Sequence, residues 1–225
     1  MAKHTIVIEN IQFINHNVLQ LKCTKPNGLS FTPGQAVHLF IENTSASTEK
    51  GAFTITSLPM QHHLEFVIKV YPSHNGTTDK LKELRVGDTL GMDDPYGYIH
   101  YRNQGLFIAA GSGITPFLCI YKNLAKQGLL NGNKLIYANK TTADIIYEKQ
   151  LSEWFGNNVN HILSEEKTDK YYYGLIDKTF LKNAIEDFTQ DFYLCGPPTM
   201  MDAVIKSLQE LGLHKEQIIA EGMGS

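Results

Sequence analysis

The sequence predicts two domains, an antiparallel β-barrel followed by an α/β domain with a parallel sheet. Three observations predict it. The first hundred residues carry short runs of β-branched and aromatic residues, punctuated by turns at Pro26-Asn27-Gly28, Pro33-Gly34 and Asp94-Pro95-Tyr96-Gly97. Past Arg102-Asn103-Gln104-Gly105, apolar runs alternate with segments of helical period. Those later runs are continuous rather than alternating, as in strands buried on both faces of a parallel sheet. The boundary is therefore drawn between residues 102 and 103, giving domains of residues 1–102 and 103–225.

In the first half, Thr5–Ile11 is rich in β-branched residues, Val18–Cys23 alternates, and Gln35–Ile41 follows the Pro33-Gly34 turn. Phe53–Thr56, Leu64–Tyr71 and Thr89–Met92 complete the strands, and Lys80–Leu84 is a short helical interruption. Short strands at this spacing close into a small barrel. In the second half, Leu106–Ala110 reads as a buried strand, then comes a glycine-rich turn and a helix from Pro116 to Gln127 stopped by Gly128. Lys134–Ala138 is the next strand and Tyr147–Phe155 the next helix, while His161–Leu163 fits either strand or loop. Asp177 is placed to cap a helix over Lys178–Ile185. Phe192–Cys195 is another buried strand, Pro198–Leu211 a helix with proline in its first turn, and Ile218–Ala220 an edge strand.

With 42 % hydrophobic and 19 % charged residues, the 225-residue chain can build an ordinary core and is not of the disordered class. A net charge of −3 gives no pull toward nucleic acid or an anionic membrane, so neither partner is expected. Cys23, Cys119 and Cys195 are too few and too far apart for an iron–sulfur cluster or a disulfide framework. With no signal peptide and no long apolar span, a cytoplasmic protein with reduced thiols is expected. The histidines lack metal-ligand spacing, and the adjacent His62 and His63 would point to opposite faces of a strand, so no metal site is expected.

Four constellations carry candidate chemistry. Gly111-Ser112-Gly113-Ile114-Thr115-Pro116 stands between a buried strand and a helix, where glycines allow a sharp turn and the helix start suits an anion. A tight turn with no ligand has the same signature, and Pro116 replaces the third glycine of the dinucleotide fingerprint. Cys195-Gly196-Pro197-Pro198-Thr199-Met200 ends a strand at the sheet edge where ligands of open α/β sheets bind. A buried small apolar residue is the competing reading of Cys195. Ala52-Phe53-Thr54-Ile55-Thr56-Ser57 offers an aromatic face and hydroxyls for a flat ring, or else a plain strand with Phe53 in the core. Gly76-Thr77-Thr78 is a second candidate anion turn, or a hairpin turn with a capping threonine.

The order and spacing of these four elements resemble the ferredoxin–NADP reductase family over nearly the whole chain. The resemblance extends to Phe31-Thr32-Pro33-Gly34-Gln35 and to Pro95-Tyr96-Gly97, which look like two of the family's turns. It implies an N-terminal FAD-binding Greek-key barrel and a C-terminal NAD(P)-binding domain, with a hydride passing from NAD(P)H to FAD and electrons onward. The implied acceptor is a small electron-carrier protein, such as flavodoxin or ferredoxin, or an oxygenase component. A free-flavin reductase is the alternative, as is an electron-transfer subunit of a larger complex; the latter is less expected, since no cysteine-rich segment follows Glu221.

Carried over by position, the resemblance sets Phe53 against the flavin, with Thr54 at the flavin N5 region and Ile55 and Thr56 following on the same segment. Lys69 and Val70 run along the ribityl and adenosine part, and Gly76, Thr77 and Thr78 match the turn at the FAD pyrophosphate. Gly111, Ser112, Gly113, Thr115 and Pro116 match the turn under the NAD(P) pyrophosphate. Cys195, Gly196 and Met200 match the family's C-G-P-x-x-M motif near the hydride path, and Glu221 an acidic residue near the nicotinamide. Thr54, Cys195 and Glu221 are the implied catalytic residues.

There are two departures. Gly51, with Lys50 beside it, stands where the family has an arginine that pairs with FAD phosphate, and lysine does not replace a bidentate guanidinium. The C-terminal Gly222-Met223-Gly224-Ser225 lacks the family's terminal aromatic. The strand ending Ala138-Asn139-Lys140 carries no carboxylate for a ribose 2′-hydroxyl, and Lys140 leans the nucleotide choice toward NADPH, unless it is only a solvated loop lysine. The missing arginine predicts weak FAD retention, with Lys50 or Lys69 as substitute cations. Fluorescence titration in moderate salt tests this, and a submicromolar dissociation constant overturns it.

Overall fold

The computed structural model describes residues 2–41, 49–70 and 77–221, with backbone only for residues 49 and 77. Tyr71, Gly76 and the residues after Glu221, on which parts of the expectations above fall, lie outside these. The chain divides into two compact units, Met1–Gly97 with Thr115–Asn123, and Tyr98–Ile114 with Leu124–Ser225.

The first unit holds β1 (His4–Asn15), β2 (Val18–Thr24), β3 (Ala36–Ile41), β4 (Glu49–Thr54), β5 (His63–Lys69), the short helix α1 (Thr77–Leu81) and β6 (Thr89–Met92). The strands form an antiparallel sheet in the order β4-β3-β6-β1-β2-β5, in which β6 is inserted between β3 and β1 in Greek-key fashion. The sheet closes because its two end strands meet just past β4, through an antiparallel bridge between Ile55 and Phe66. Alternate residues point inward, so Ile6, Ile8, Leu19, Leu21, Leu39 and Phe66 fill the interior with almost no exposure.

Three elements differ from expectation, one being β4, which starts earlier and ends at Thr54, before the expected Ile55 and Thr56. β1 continues to Asn15, because its second half is held by hairpin pairing with β2 as far as Asn15–Val18 and not by an apolar pattern; Phe13 there is exposed. Helix α1 begins at Thr77 and gives way at Leu81 to turns closed by Glu83 and Leu84 amides.

The second unit holds β7 (Gly105–Ala110), β8 (Lys134–Asn139), β9 (Val159–Leu163), β10 (Tyr172–Tyr173), β11 (Asp191–Cys195) and β12 (Ile218–Ala220). All pair in parallel, in the order β10-β9-β8-β7-β11-β12. The chain winds outward from β7 in one direction and then returns to the other side at β11, so the switch point lies between β7 and β11. Helix α2 (Thr115–Gln127) has Pro116 in its first turn and ends at Gly128 in the left-handed conformation. Its residues through Asn123 belong to the first unit. Helix α3 spans Glu148–Phe155, α4 spans Lys178–Ala184 and α5 spans Pro198–Glu210. Asp177 caps α4 by accepting from the Phe180 amide at 2.7 Å.

On one face of the sheet, Ile108, Ile136, Ile162 and Leu194 pack with Leu181 of α4 and Val204 and Leu208 of α5. On the other, Phe107 and Tyr193 stack with ring centroids 4.4 Å apart. The Tyr193 hydroxyl donates to the Asn103 carbonyl at 2.6 Å and accepts from the Arg102 and Asn103 amides, fixing the segment that enters β7. Strand β10 was not foreseen, since two exposed tyrosines carry no periodic signal.

His161 on β9 lies on the same face as Tyr137, its partner on β8, and is buried with neither ring nitrogen hydrogen-bonded. Burial lowers its pKa to about 4, against a smaller opposing pull from the Glu148 carboxylate. The folded state therefore keeps it neutral while the unfolded chain protonates near 6.5. Stability tied to this residue is whole above about pH 6.5 and falls as pH drops toward 4, by about 1.4 kcal/mol per pH unit. Urea unfolding at pH 7, 6 and 5 should show that slope shrinking in His161→Phe; an unaltered slope assigns the acid sensitivity elsewhere.

Candidate functional site

In the first unit the candidate residues gather where β4 runs into the barrel closure. Register places Phe53 opposite Val37 and Thr54 opposite Ala36. Phe53 is half-buried and packs on the edge of the barrel core. Thr54, also half-buried, accepts from the Thr115 hydroxyl at the start of α2 at 3.5 Å, the outer limit of a hydrogen bond. Thr115 is nearly buried, and Pro116 follows it in the first turn of α2.

Three of the expected cofactor-binding residues have side chains committed to the fold. The Ile55 side chain is wholly inside the barrel, and its amide is bonded to Gln35. Thr56 is fully buried, with its hydroxyl donating to Glu65 at 2.9 Å. The Val70 side chain joins the core, and its amide is bonded to the Asn17 carbonyl. Each can offer a ligand only main-chain atoms. Lys69, at the end of β5, is half-buried, as is Thr78 in α1. The Thr77 backbone opens α1, and Gly76 lies outside the described residues. The Lys50 ammonium sits over the Phe40 ring, 5.7 Å from its centroid.

In the second unit, two turns interlock at the switch point. β7 runs into a 3-10 turn over Gly111–Ile114. A Cβ on Gly113 would overlap the Cys195 carbonyl, and one on Gly196 would overlap the Met200 methyl group. Gly113 therefore serves packing between the turns, whereas the close neighbour of Gly196 is a flexible side chain of its own segment. Gly111 differs: its φ of +52° needs glycine, a Cβ there would meet only open space, and its carbonyl accepts from the Tyr137 hydroxyl at 2.9 Å. Ser112, between them, is half-buried. The open side of this turn is thus the side of Gly111.

Cys195 is partly buried, which pushes its thiol up to about 12, with the Glu221 charge adding to the effect. It stays protonated throughout the physiological range and is no nucleophile. Glu221 follows β12, whose Ala220 pairs with Leu194, so it lies at the same sheet edge as Cys195; desolvation raises its carboxyl. Lys140, just past β8, is exposed and paired with Glu165 at 2.8 Å. Beside it, Glu166 accepts from the Thr142 amide at 2.6 Å. These two carboxylates were not foreseen, because only the pairing of Asn139 with Leu163 brings the loops after β8 and β9 together. Among the described residues, no group of three His, Cys, Asp or Glu could hold a metal ion, and no helix is long and apolar enough to cross a membrane.

A closed antiparallel barrel followed by a doubly wound sheet with glycine turns at its switch point defines the class of oxidoreductases that join a flavin domain to a nicotinamide-nucleotide domain. Family models match accordingly: an FAD-binding domain over residues 4–99 and an oxidoreductase NAD-binding domain over residues 107–206. The chain belongs to the ferredoxin–NADP reductase family, and its cofactors are FAD and NAD(P)H.

Among its relatives, the anthranilate 1,2-dioxygenase electron transfer component of Acinetobacter baylyi is 29 % identical over 86 % of this chain and 58 % of its own length. The NADH-cytochrome b5 reductase 2 of Danio rerio is 24 % identical over 97 % of this chain and 84 % of its own. The chain spans about three-fifths of the length of the curated dioxygenase and monooxygenase relatives it matches. The fold matches that of the flavohem-like FAD/NAD binding domain of nitric oxide dioxygenase from Vibrio cholerae, with a TM-score of 0.88, 23 % identity and 98 % of each chain covered. It also matches a ferredoxin NADP+ reductase from Neisseria gonorrhoeae with bound FAD and NADP, with a TM-score of 0.85, 18 % identity and 97 % of each chain covered.

The different tasks of the glycines give a test. Gly113→Ala should destabilise the protein by about 3 kcal/mol, because the clash is with main chain. Gly111→Ala should cost about 1 kcal/mol through its backbone conformation alone, and should weaken NAD(P)H binding. Thermal unfolding and nucleotide titration check both, and equal destabilisation by the two substitutions refutes the assignment.

Proposed function

We propose that this chain transfers a hydride from NAD(P)H to FAD and passes electrons on to an oxygenase component or a small electron-carrier protein. One observation carries the reading: the Gly111 and Cys195 turns interlock at the switch point of a parallel sheet, in a chain whose barrel matches an FAD-binding domain. Relatives named as electron transfer or reductase components of oxygenases support the acceptor class. The cytoplasm is the setting that suits free thiols and a nicotinamide donor.

FAD, when bound, supplies the exchange between two-electron and one-electron chemistry. The residues of this chain bind and orient. Phe53 and the Thr54 hydroxyl would hold the flavin ring, while the main chain at Ile55 and Val70, with Lys69, Gly76, Thr77 and Thr78, would hold the rest of the cofactor. Thr56, whose amide, carbonyl and hydroxyl are all bonded within the protein, would support them from behind. Gly111, Ser112, Gly113, Thr115 and Pro116 would receive the nucleotide diphosphate on the open side of Gly111, as strand-to-helix turns do. Gly196 and Met200 shape the edge beside them. The neutral Cys195 thiol would pack against the nicotinamide without reacting, and Glu221 would set the potential beside it. Nucleotide choice would rest on Lys140 against Glu165, whose carboxylate offsets the lysine's preference for a 2′-phosphate.

A second reading, a free-flavin reductase, is favoured by Gly51 in the arginine position and by Lys50 resting on Phe40. The absorption spectrum after adding FAD and desalting separates the two. Retained flavin bands that bleach anaerobically with NADPH or NADH support the reductase with bound FAD. Lost bands with turnover of free FAD or FMN support the second reading, and neither behaviour removes both. Thr54→Val should slow flavin reduction on the order of tenfold, the worth of one hydrogen bond. Cys195→Ala should lower the same rapid-reaction rate more than it weakens nucleotide binding. An unchanged rate in either variant removes that residue from its role.

A further inference from the structure

The residues that follow Thr54 are held at almost every polar group, and much of the holding comes from one face of α2. Thr115, Cys119 and Lys122 are spaced so that they share that face. Thr115 meets the Thr54 hydroxyl, the Cys119 thiol donates to the Ser57 carbonyl at 3.0 Å, and the Lys122 ammonium donates to the Thr56 carbonyl at 2.9 Å. Lys122 also pairs with Glu65 at 2.6 Å. Glu65 in turn accepts from the Thr56 hydroxyl at 2.9 Å, its amide donates to the Ser57 hydroxyl at 3.1 Å, and its carbonyl accepts from the Thr56 amide at 2.7 Å. Gln20 donates to its second carboxylate oxygen at 3.1 Å.

Thr56 and Ser57 are wholly buried, and the Lys122 and Glu65 side chains are mostly so. Burial holds the Cys119 thiol up to about 12, so it remains a donor throughout the physiological range. Bonded to one another, these groups together fix the backbone from which the Thr54 hydroxyl projects.

We propose that Lys122 and Glu65 are positioning residues that hold Thr54 in the geometry FAD requires. This rests on the functional reading above. The same ammonium serves both Glu65 and the main chain one peptide beyond Ile55, which ties the charge pair to the segment carrying Thr54. Losing Lys122 frees that carbonyl and leaves a buried carboxylate without its cation, so two effects must be separated.

The experiment uses the full chain with Lys122→Met, Lys122→Arg, and the double variant Lys122→Met/Glu65→Gln. FAD affinity is read by quenching of flavin fluorescence, apo-protein stability by thermal unfolding, and the 53–57 segment by amide hydrogen exchange. Lys122→Met is expected to raise the FAD dissociation constant about tenfold and speed exchange over the segment. Lys122→Arg is expected to restore both. The double variant, free of the unpaired carboxylate, should regain apo-protein stability but not FAD affinity.

Wild-type affinity in the double variant, or unchanged exchange in Lys122→Met, overturns the positioning role and leaves the functional reading standing. If Lys122→Met does not fold, the double and arginine variants decide alone. Wild-type protein that takes up no FAD overturns the functional reading and, with it, the role assigned toward FAD.

Discussion

The second unit depends on the close approach of two backbones. β7 and β11 are neighbours in the parallel sheet, so the chain leaving each must turn within the space beside the other. Gly113 permits this by placing no Cβ against the Cys195 carbonyl, and Gly196 by lying close to Ala110 at the end of β7. Once the turns interlock, Gly111 is left facing open space and Cys195 is carried to the sheet edge beside Glu221. The same packing that stabilises the switch point thus leaves the main chain at Gly111 open on one side.

The barrel makes an analogous economy. Its sheet closes where Ile55 bridges Phe66, one residue past Thr54. Closure turns Ile55 into the core and Thr56 toward Glu65, while the Thr54 hydroxyl meets that of Thr115. Stability and function are adjacent on the chain, which is why a residue on α2 that touches no ligand can bear on the flavin site. The absence of an arginine at position 51 makes this internal order more consequential, since less of the cofactor's binding energy can come from a bidentate phosphate contact.

Electrostatics in the nucleotide half favour neutrality over reactivity. Burial keeps the Cys195 thiol protonated, and the nearby Glu221 charge reinforces it. Lys140 is balanced by Glu165. On the function proposed above, such a site would orient a nicotinamide and leave the redox step to the cofactors.

The sequence by itself determined the two-part architecture, most of the strand–helix order and the places of the glycine turns. These are local properties: periodicity of apolar residues, prolines at the starts of α2 and α5, Gly128 at a helix end, and glycines where backbone must turn. The order of four weak motifs also sufficed to indicate the family, because spacing along the chain survives where individual residues change.

Only the tertiary structure decided which members of a motif face a ligand. Phe53-Thr54 and Ile55-Thr56 look alike in sequence, but barrel closure assigns the second pair to the interior. Glu65, Cys119 and Lys122, and the pairing of Glu165 with Lys140, gave no signal, because their partners lie far away along the chain. The later half of β1 and all of β10 were likewise fixed by pairing partners and not by their own pattern. The physical reason is common to all of these: side-chain direction follows from strand register and helix docking, which long-range contacts set and local sequence does not.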